Sequence, residues 1–320
     1  MFALPDRWVW DFWLAEDAGE HHVFYLQAPR DLGDPELRHH HATIGHAVTR
    51  EFREWRVLPD ALHPGERGAW DDLAVWTGSV LRHEGRWHML YTGIHRAEQG
   101  LVQRIGLATS EDLLTWRRHG ANPVLEADPR WYEQLPQGRW RDQSWRDPFL
   151  FRVPGEEEVH ALITARSPEG PADGAGVIAH ARSRDLVDWE VLPPITEPGD
   201  FAQVEVPQLS EVDGWSVVLF SCRTEDHSAE RRERLGNSCR ATGTFAFVGR
   251  SGSGVLRPSD RPVAAVPGET LYAGKLVPTD TDRYGFVAFR EVSDHGFVGE
   301  LTGPLPVEVT ASGDVVVTAD

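Results

Sequence analysis

Lysine is nearly missing from this chain: Lys275 is the only one, and arginine supplies the rest of its 32 basic residues. Against them stand 50 acidic residues, for a formal net charge of −18. A surface of that sign repels phosphate backbones and no basic patch interrupts it, so nucleic acid is excluded as an expected partner. Long apolar runs are lacking as well. Arg, Asp or Glu breaks every stretch short of the ~20 residues that a membrane helix needs, so no membrane association is expected. The opening MFALPDRWVWDFW has neither a basic leader nor a small-residue cleavage site. Cysteine is limited to Cys222 and Cys239, a usage that fits a reducing compartment and two unrelated thiols. The cytoplasm is the expected location.

What the chain does have is an ordinary globular balance, with 40% hydrophobic and 26% charged residues, which excludes wholesale disorder. It also has a repeat. Thr49–Trp55 (T-R-E-F-R-E-W), Ser110–Trp116 (S-E-D-L-L-T-W) and Ser183–Trp189 (S-R-D-L-V-D-W) share a hydroxyl, an acid, an apolar residue and a closing Trp. Each follows a short strand of small and apolar residues, and the Trp positions are spaced by 61 and 73 residues. Hairpin patterns lie between the repeats: residues 80–91 turning at Glu84-Gly85, 149–151 with 159–164, 207–209 with 215–221, and 271–277 with 284–290 across PTDTD. Many short strands with 22 Pro and 30 Gly argue for an all-β fold. Repeats of this length divide the chain into five blades of a β-propeller, one domain over residues 1–320. Asp314–Thr318 is expected to close the ring against the first strand, near Trp8–Trp13.

Other segments read more plainly. Asp31 to His46 is polar and histidine-rich and is expected to be a loop of the first blade. Its His39-His40-His41 run, with His21, His22 and His46, lacks the spaced partners of a structural zinc site, so a solvated or substrate-rim loop is expected and no metal. Glu225–Gly236 reads as a short helix or an exposed insert, and Gly249–Gly254 as a turn, since it lacks the lysine of a phosphate loop.

Three acids stand in unusual company: Asp11 in W-V-W-D-F-W, Asp147 in W-R-D-P-F and Glu205 in Q-V-E-V-P. A charge among aromatic and apolar residues is costly unless paired or functional. Propeller sites sit at the central channel, so catalytic groups are expected about one per blade, on inner strands. The separation of these acids has that character.

At these residues the sequence resembles the five-bladed propeller glycosidases of glycoside hydrolase families 32 and 68, with family 43 more distant. W-V-W-D-F-W is similar to the nucleophile strand and closer to levansucrases than to invertases, whose N-D-P-N-G tail it lacks. W-R-D-P (145–148) resembles the R-D-P motif, and E-V-P (205–207) the acid/base motif. F-Y-L-Q (24–27) and W-T-G-S (76–79) are lesser matches. The C-terminal β-sandwich usual in family 32 is not expected, because the propeller uses all 320 residues.

The resemblance implies a retaining β-fructofuranosidase acting on sucrose or short fructosides without a cofactor: Asp11 as nucleophile, Glu205 as acid/base and Asp147 holding ring hydroxyls. Apolar neighbours Val204 and Val206 suggest a raised pKa for Glu205, and Arg146 offers a fork of donors. Trp10, Trp76 and Trp70 are candidate sugar platforms, with Gln27 and Ser79 as hydroxyl contacts. Gln203, two residues before Glu205, faces the same side if both lie on a strand. Two alternatives stay open: an inverting family 43-type arabinofuranosidase or xylosidase, against which the R-D-P triplet argues, and a non-catalytic sugar-binding propeller.

Overall fold

The computed structural model describes residues 1–236, 241–279 and 284–318. Its strands form five antiparallel sheets built in chain order, the five-bladed all-β propeller that the repeats predict. The innermost strands are Arg7–Asp17, Ala74–His83, Trp145–Arg152, Glu205–Val212 and Glu269–Pro278 for blades 1 to 5. Among the described residues there is one α-helix, Ala229–Leu235 (α1), within the segment read as helix or insert. None is long and apolar enough to cross a membrane.

The W-ending repeat is the turn after the third strand of blades 1 to 3. Its apolar residue (Phe52, Leu113, Leu186) is buried in the left-handed conformation, φ 57°, 62° and 64°. That conformation is held from both sides. The leading hydroxyl accepts from a following amide, as in Phe52 N to Thr49 Oγ1 (2.9 Å) and Leu186 N to Ser183 Oγ (2.9 Å). Asp185 accepts from Val187 N and Asp188 N, and Asp112 from Leu114 N and Thr115 N. Trp116 and Trp189 donate back to the carbonyls of Leu113 and Leu186, both at 3.0 Å. Blade 1 has Glu51 in the acid position, and its Trp55 Nε1 is buried without a partner.

Ring closure departs from the sequence expectation. Val315–Val317 pairs with Leu305–Val309 as the outer edge of blade 5 and does not reach the first strand. The ring is closed instead by Gly296–Leu301, a hairpin strand of blade 5. Phe2 and Leu301 exchange backbone hydrogen bonds of 2.9 Å, Trp8 meets Phe297 edge-to-face, and Arg30 donates to the carbonyl of Val298. The physical reason is supply: each blade draws its strands from one contiguous segment, so the last strand is used at home. Of the other expectations, the Val80–Tyr91 hairpin forms as read, the PTDTD turn lies partly outside the described residues, and the loop expected over Asp31–His46 ends earlier, taking in the 3₁₀ turn Pro35–His40 before residues 43–46 join the strand Thr43–Thr49.

Candidate active site

All five inner strands carry a β-bulge facing the central channel: between Val9 and Phe12, Trp76 and Gly78, opposite Leu162/Thr164, between Glu205 and Gln208, and between Tyr272 and Lys275. Three of these bulges hold a non-glycine residue at positive φ: Asp147 at 57°, Val206 at 55° and Ala273 at 50°. A bulge breaks the in–out alternation of a strand and re-aims a side chain. Here it turns acids that would otherwise pack between blades into the channel. The result is a pocket of about 380 Å³ lined by Asp11, Asp147, Glu205, Arg146, Trp10, Trp76 and Tyr272, among others.

Arg146 organises the charges. Its Nη2 donates to Glu205 Oε1 (2.6 Å) and Gln203 Oε1 (2.9 Å), its Nη1 donates to Gln103 Oε1 (3.1 Å), and its Nε lies 3.5 Å from Asp147 Oδ2. Asp147 is held further by donation from Thr164 Oγ1 (2.9 Å) and Val206 N (3.2 Å). Asp11 accepts from Thr77 Oγ1 at 2.7 Å. Glu205 also accepts from the Tyr272 hydroxyl.

Burial, reinforced by the charges of Asp147 and Glu205, pushes the Asp11 carboxyl up to about 7, against the Thr77 hydrogen bond and Lys275. Asp147 is likewise raised by burial, with Arg146 opposing. Glu205 corrects the expectation of a raised value. Burial pushes it up, but Arg146, the Tyr272 hydrogen bond and Arg223 outweigh that and hold it below the usual range. The contacts that outweigh burial are remote in sequence: Arg146 comes from blade 3, Tyr272 from blade 5, and Arg223 follows the second strand of blade 4. Lys275, the single lysine, is buried on the inner strand of blade 5; burial lowers its ammonium to about 8, with Asp11 and Asp147 pulling it back up.

Of the sequence-predicted residues, the structure brings Asp11, Asp147, Glu205, Arg146, Trp10 and Trp76 to the pocket and leaves four, Gln27, Ser79, Gln203 and Trp70, outside its wall. Gln27 is buried within blade 1, donating to Asp60 Oδ1 (2.7 Å) and Thr43 Oγ1 (3.3 Å). Ser79 ties blades 2 and 3 by accepting from Leu150 N at 3.0 Å. Gln203 precedes the strand, which starts at Glu205, so the alternation argument does not reach it; it holds Arg146 and Ser144 instead. Trp70 packs on Tyr91, and Asp71 pairs with Arg118 (2.8 Å), a structural cluster at the entry to blade 2. Thr77, Tyr272, Gln103 and Arg223 were not singled out from sequence. Only Thr77 carried a signal, its place in W-T-G-S. Among the described residues no cluster has the make-up of a metal site, and Cys222 is a buried free thiol, while Cys239 lies outside the described residues.

Known proteins share this design. The model of the glycosyl hydrolases family 32 N-terminal domain matches residues 13–294. An extracellular sucrase of Zymomonas mobilis subsp. mobilis is 24% identical over 358 residues, spanning 98% of this chain and 82% of the relative. Among solved structures, an inulosucrase from Halalkalicoccus jeotgali bound to kestose superposes with a TM-score of 0.78 at 23% identity, covering 98% of this chain and 88% of that one. A Bombyx mori family 32 β-fructofuranosidase gives 0.74 at 20% identity, covering 99% and 64%. With a family match running from blade 1 into blade 5 and a propeller shared with these structures, the chain belongs to glycoside hydrolase family 32 and is a glycoside hydrolase.

Proposed function

We propose that the pocket cleaves β-fructofuranosides, sucrose or short fructo-oligosaccharides, with retention through a covalent fructosyl-enzyme. The observation that carries this is the convergence of Asp11, Asp147 and Glu205, from three different blades, on one small pocket held together by Arg146. The sucrase relative supports the choice of substrate. In the first step a carboxylate oxygen of Asp11 bonds to the anomeric carbon while the glycosidic C–O bond breaks and the leaving oxygen takes a proton from Glu205. In the second, Glu205 takes a proton from water as its oxygen bonds to that carbon and frees Asp11; a sugar hydroxyl in place of water gives fructosyl transfer. Asp147 accepts from ring hydroxyls, contacts that strengthen as the oxocarbenium-like charge develops. Trp10 and Trp76 cover the apolar ring faces.

Burial raises the Asp11 carboxyl to about 7, whereas Arg146 and the Tyr272 hydrogen bond hold Glu205 below its usual range, the reverse of the order this step uses. Both Arg146 and the Tyr272 hydroxyl bond to the Glu205 carboxylate, so a substrate that draws these donors onto its own hydroxyls releases Glu205 to take the proton. Free fructose released from sucrose, followed for wild type and Asp11→Asn, tests the assignment. Turnover is expected from wild type and a loss of at least ~10³-fold from the variant. Sucrose cleavage that survives in Asp11→Asn would remove Asp11 as nucleophile. A first-formed product of inverted configuration, read by NMR, would remove the covalent intermediate.

A further inference from the structure

We infer that Thr92 and Thr164, buried behind the pocket wall, are positioning residues for the cleavage: their hydroxyls hold the bulges that carry Asp147 and Glu205 and so set the spacing of the acids. The inference rests on the fructosidase reading above.

A second repeat runs through the chain. Leu90-Tyr91-Thr92-Gly93, Leu162-Ile163-Thr164-Ala165 and Leu219-Phe220-Ser221-Cys222 each set a hydroxyl residue between a large apolar residue and a small one. They lie on the second strands of blades 2, 3 and 4, which are Arg86–Ile94, Val159–Arg166 and Trp215–Cys222. In each blade the hydroxyl residue pairs with the inner-strand residue just before the bulge: Trp76, Arg146 and Glu205. All three hydroxyl residues are fully buried and stand outside the pocket wall. A buried hydroxyl needs a partner, and each finds one on the inner strand of the next blade.

Thr92 Oγ1 accepts from Asp147 N (3.1 Å) and donates to the Thr77 carbonyl (3.1 Å), while Thr77 holds Asp11 through its own hydroxyl. Thr164 Oγ1 shares its one hydrogen between Asp147 Oδ2 (2.9 Å) and the Val204 carbonyl (3.0 Å). Ser221 Oγ accepts from Ala273 N at 2.8 Å. The left-handed residues Asp147, Val206 and Ala273 thus each have their amide capped by a side chain of the preceding blade, and for Val206 the cap is Asp147 Oδ2 itself. A non-glycine residue at positive φ is costly and persists only where its surroundings fix it.

Two consequences bear on the chemistry. Thr164 and Asp147 together grip the peptide groups on both sides of Glu205, the Val204 carbonyl before it and the Val206 amide after it. With Oδ2 committed to these contacts, Asp147 Oδ1, which accepts no hydrogen bond among the described residues, is the oxygen left for a sugar hydroxyl. Removing a brace from behind the wall misplaces the acids against the transition state while the groups that touch the sugar stay in the pocket, so the loss belongs in kcat rather than KM.

The test follows cleavage of sucrose and 1-kestose by wild type, Thr164→Val, Thr164→Ser, Thr92→Val and Thr92→Ser, with the melting temperature of each. Valine keeps the shape of threonine and deletes the hydroxyl. Below the melting temperature, kcat of the valine variants is expected to fall roughly 10- to 100-fold with KM within about 3-fold of wild type, and serine at the same position to recover most of the loss. An unchanged kcat in either folded valine variant, a loss confined to KM, or equal losses in the serine and valine forms would overturn the inference. If one valine variant does not fold, the other position decides by the same readouts; failure of both to fold would assign the hydroxyls to stability alone and overturn it as well. Wild type cleaving neither substrate overturns the fructosidase reading itself, and this inference with it.

Discussion

Four acceptors surround Arg146, drawn from three stretches of chain: Gln103, the adjacent Asp147, and Gln203 with Glu205. Lysine carries the same charge without the planar fork and cannot serve them together. Arg146→Lys is therefore expected to lower kcat by ~10²-fold or more with a smaller change in KM. Gln203→Leu, which removes one buttress of the fork, is expected to cost about 10-fold. The acid cluster also sets a pH dependence. Cleavage needs one proton in the site, and that proton is lost as pH rises through about 7, the value to which Asp11 is pushed. The kcat/KM profile is expected to fall on its alkaline side from near pH 7; a plateau extending beyond pH 9 would refute it. Stability follows the same sign. A carboxyl raised in the folded state contributes stability that is present below its ordinary pKa and lost as pH rises through the folded value. The melting temperature of Asp11→Asn should accordingly exceed that of wild type by more at pH 8 than at pH 5, by ~3 °C. At this scale the acids and Arg146 were legible because a charge amid aromatics is conspicuous. Gln27 and Ser79 do not reach the pocket wall, and sequence has no means to show it, because a polar side chain in a strand reads the same whether it meets a sugar or a neighbouring blade.

Elements here are decided by turns and bulges. The repeat turn after the third strand is written in the sequence, since a hydroxyl, an acid and a Trp at fixed offsets supply its acceptors and donor. Asp185→Ala strips two backbone amides of their acceptor. It is expected to cost ~1 kcal/mol, a drop of roughly 2 °C in melting temperature, with kcat/KM unchanged. The carboxylate of Asp185 has the opposite linkage to Asp11. Hydrogen bonds from Asp188 N and Val187 N hold it below its usual value, so its contribution is present above that usual value and lost as pH falls through the lowered one. The channel bulges have no such signature. Nothing in E-V-P or Y-A-G-K announces a left-handed Val206 or Ala273, because a bulge is set by pairing with the next strand and not by local preference.

For the whole molecule, the question is what holds the ring shut. Phe2 is buried 5.0 Å from Tyr25 and 4.5 Å from Trp55, and its backbone pairs with Leu301. Phe2→Ala should destabilise by about 3–5 kcal/mol, whereas Val317→Ala, on the blade 5 edge, should cost less than half as much in the same denaturation experiment. The reverse order would restore the last strand as the closing element. The sequence by itself determined the class of fold, the number of blades and the identity of the charged residues, because repeat length, turn chemistry and a misplaced charge are local properties that survive in one dimension. Only the tertiary structure decided in which direction each carboxyl is shifted, which side chains wall the pocket and which strand closes the ring. Those depend on Arg146 and Tyr272 reaching Glu205, and on a polar turn of blade 1 reaching Trp76. Electrostatics and burial are set by neighbours in space, and here the neighbours come from five separate blades.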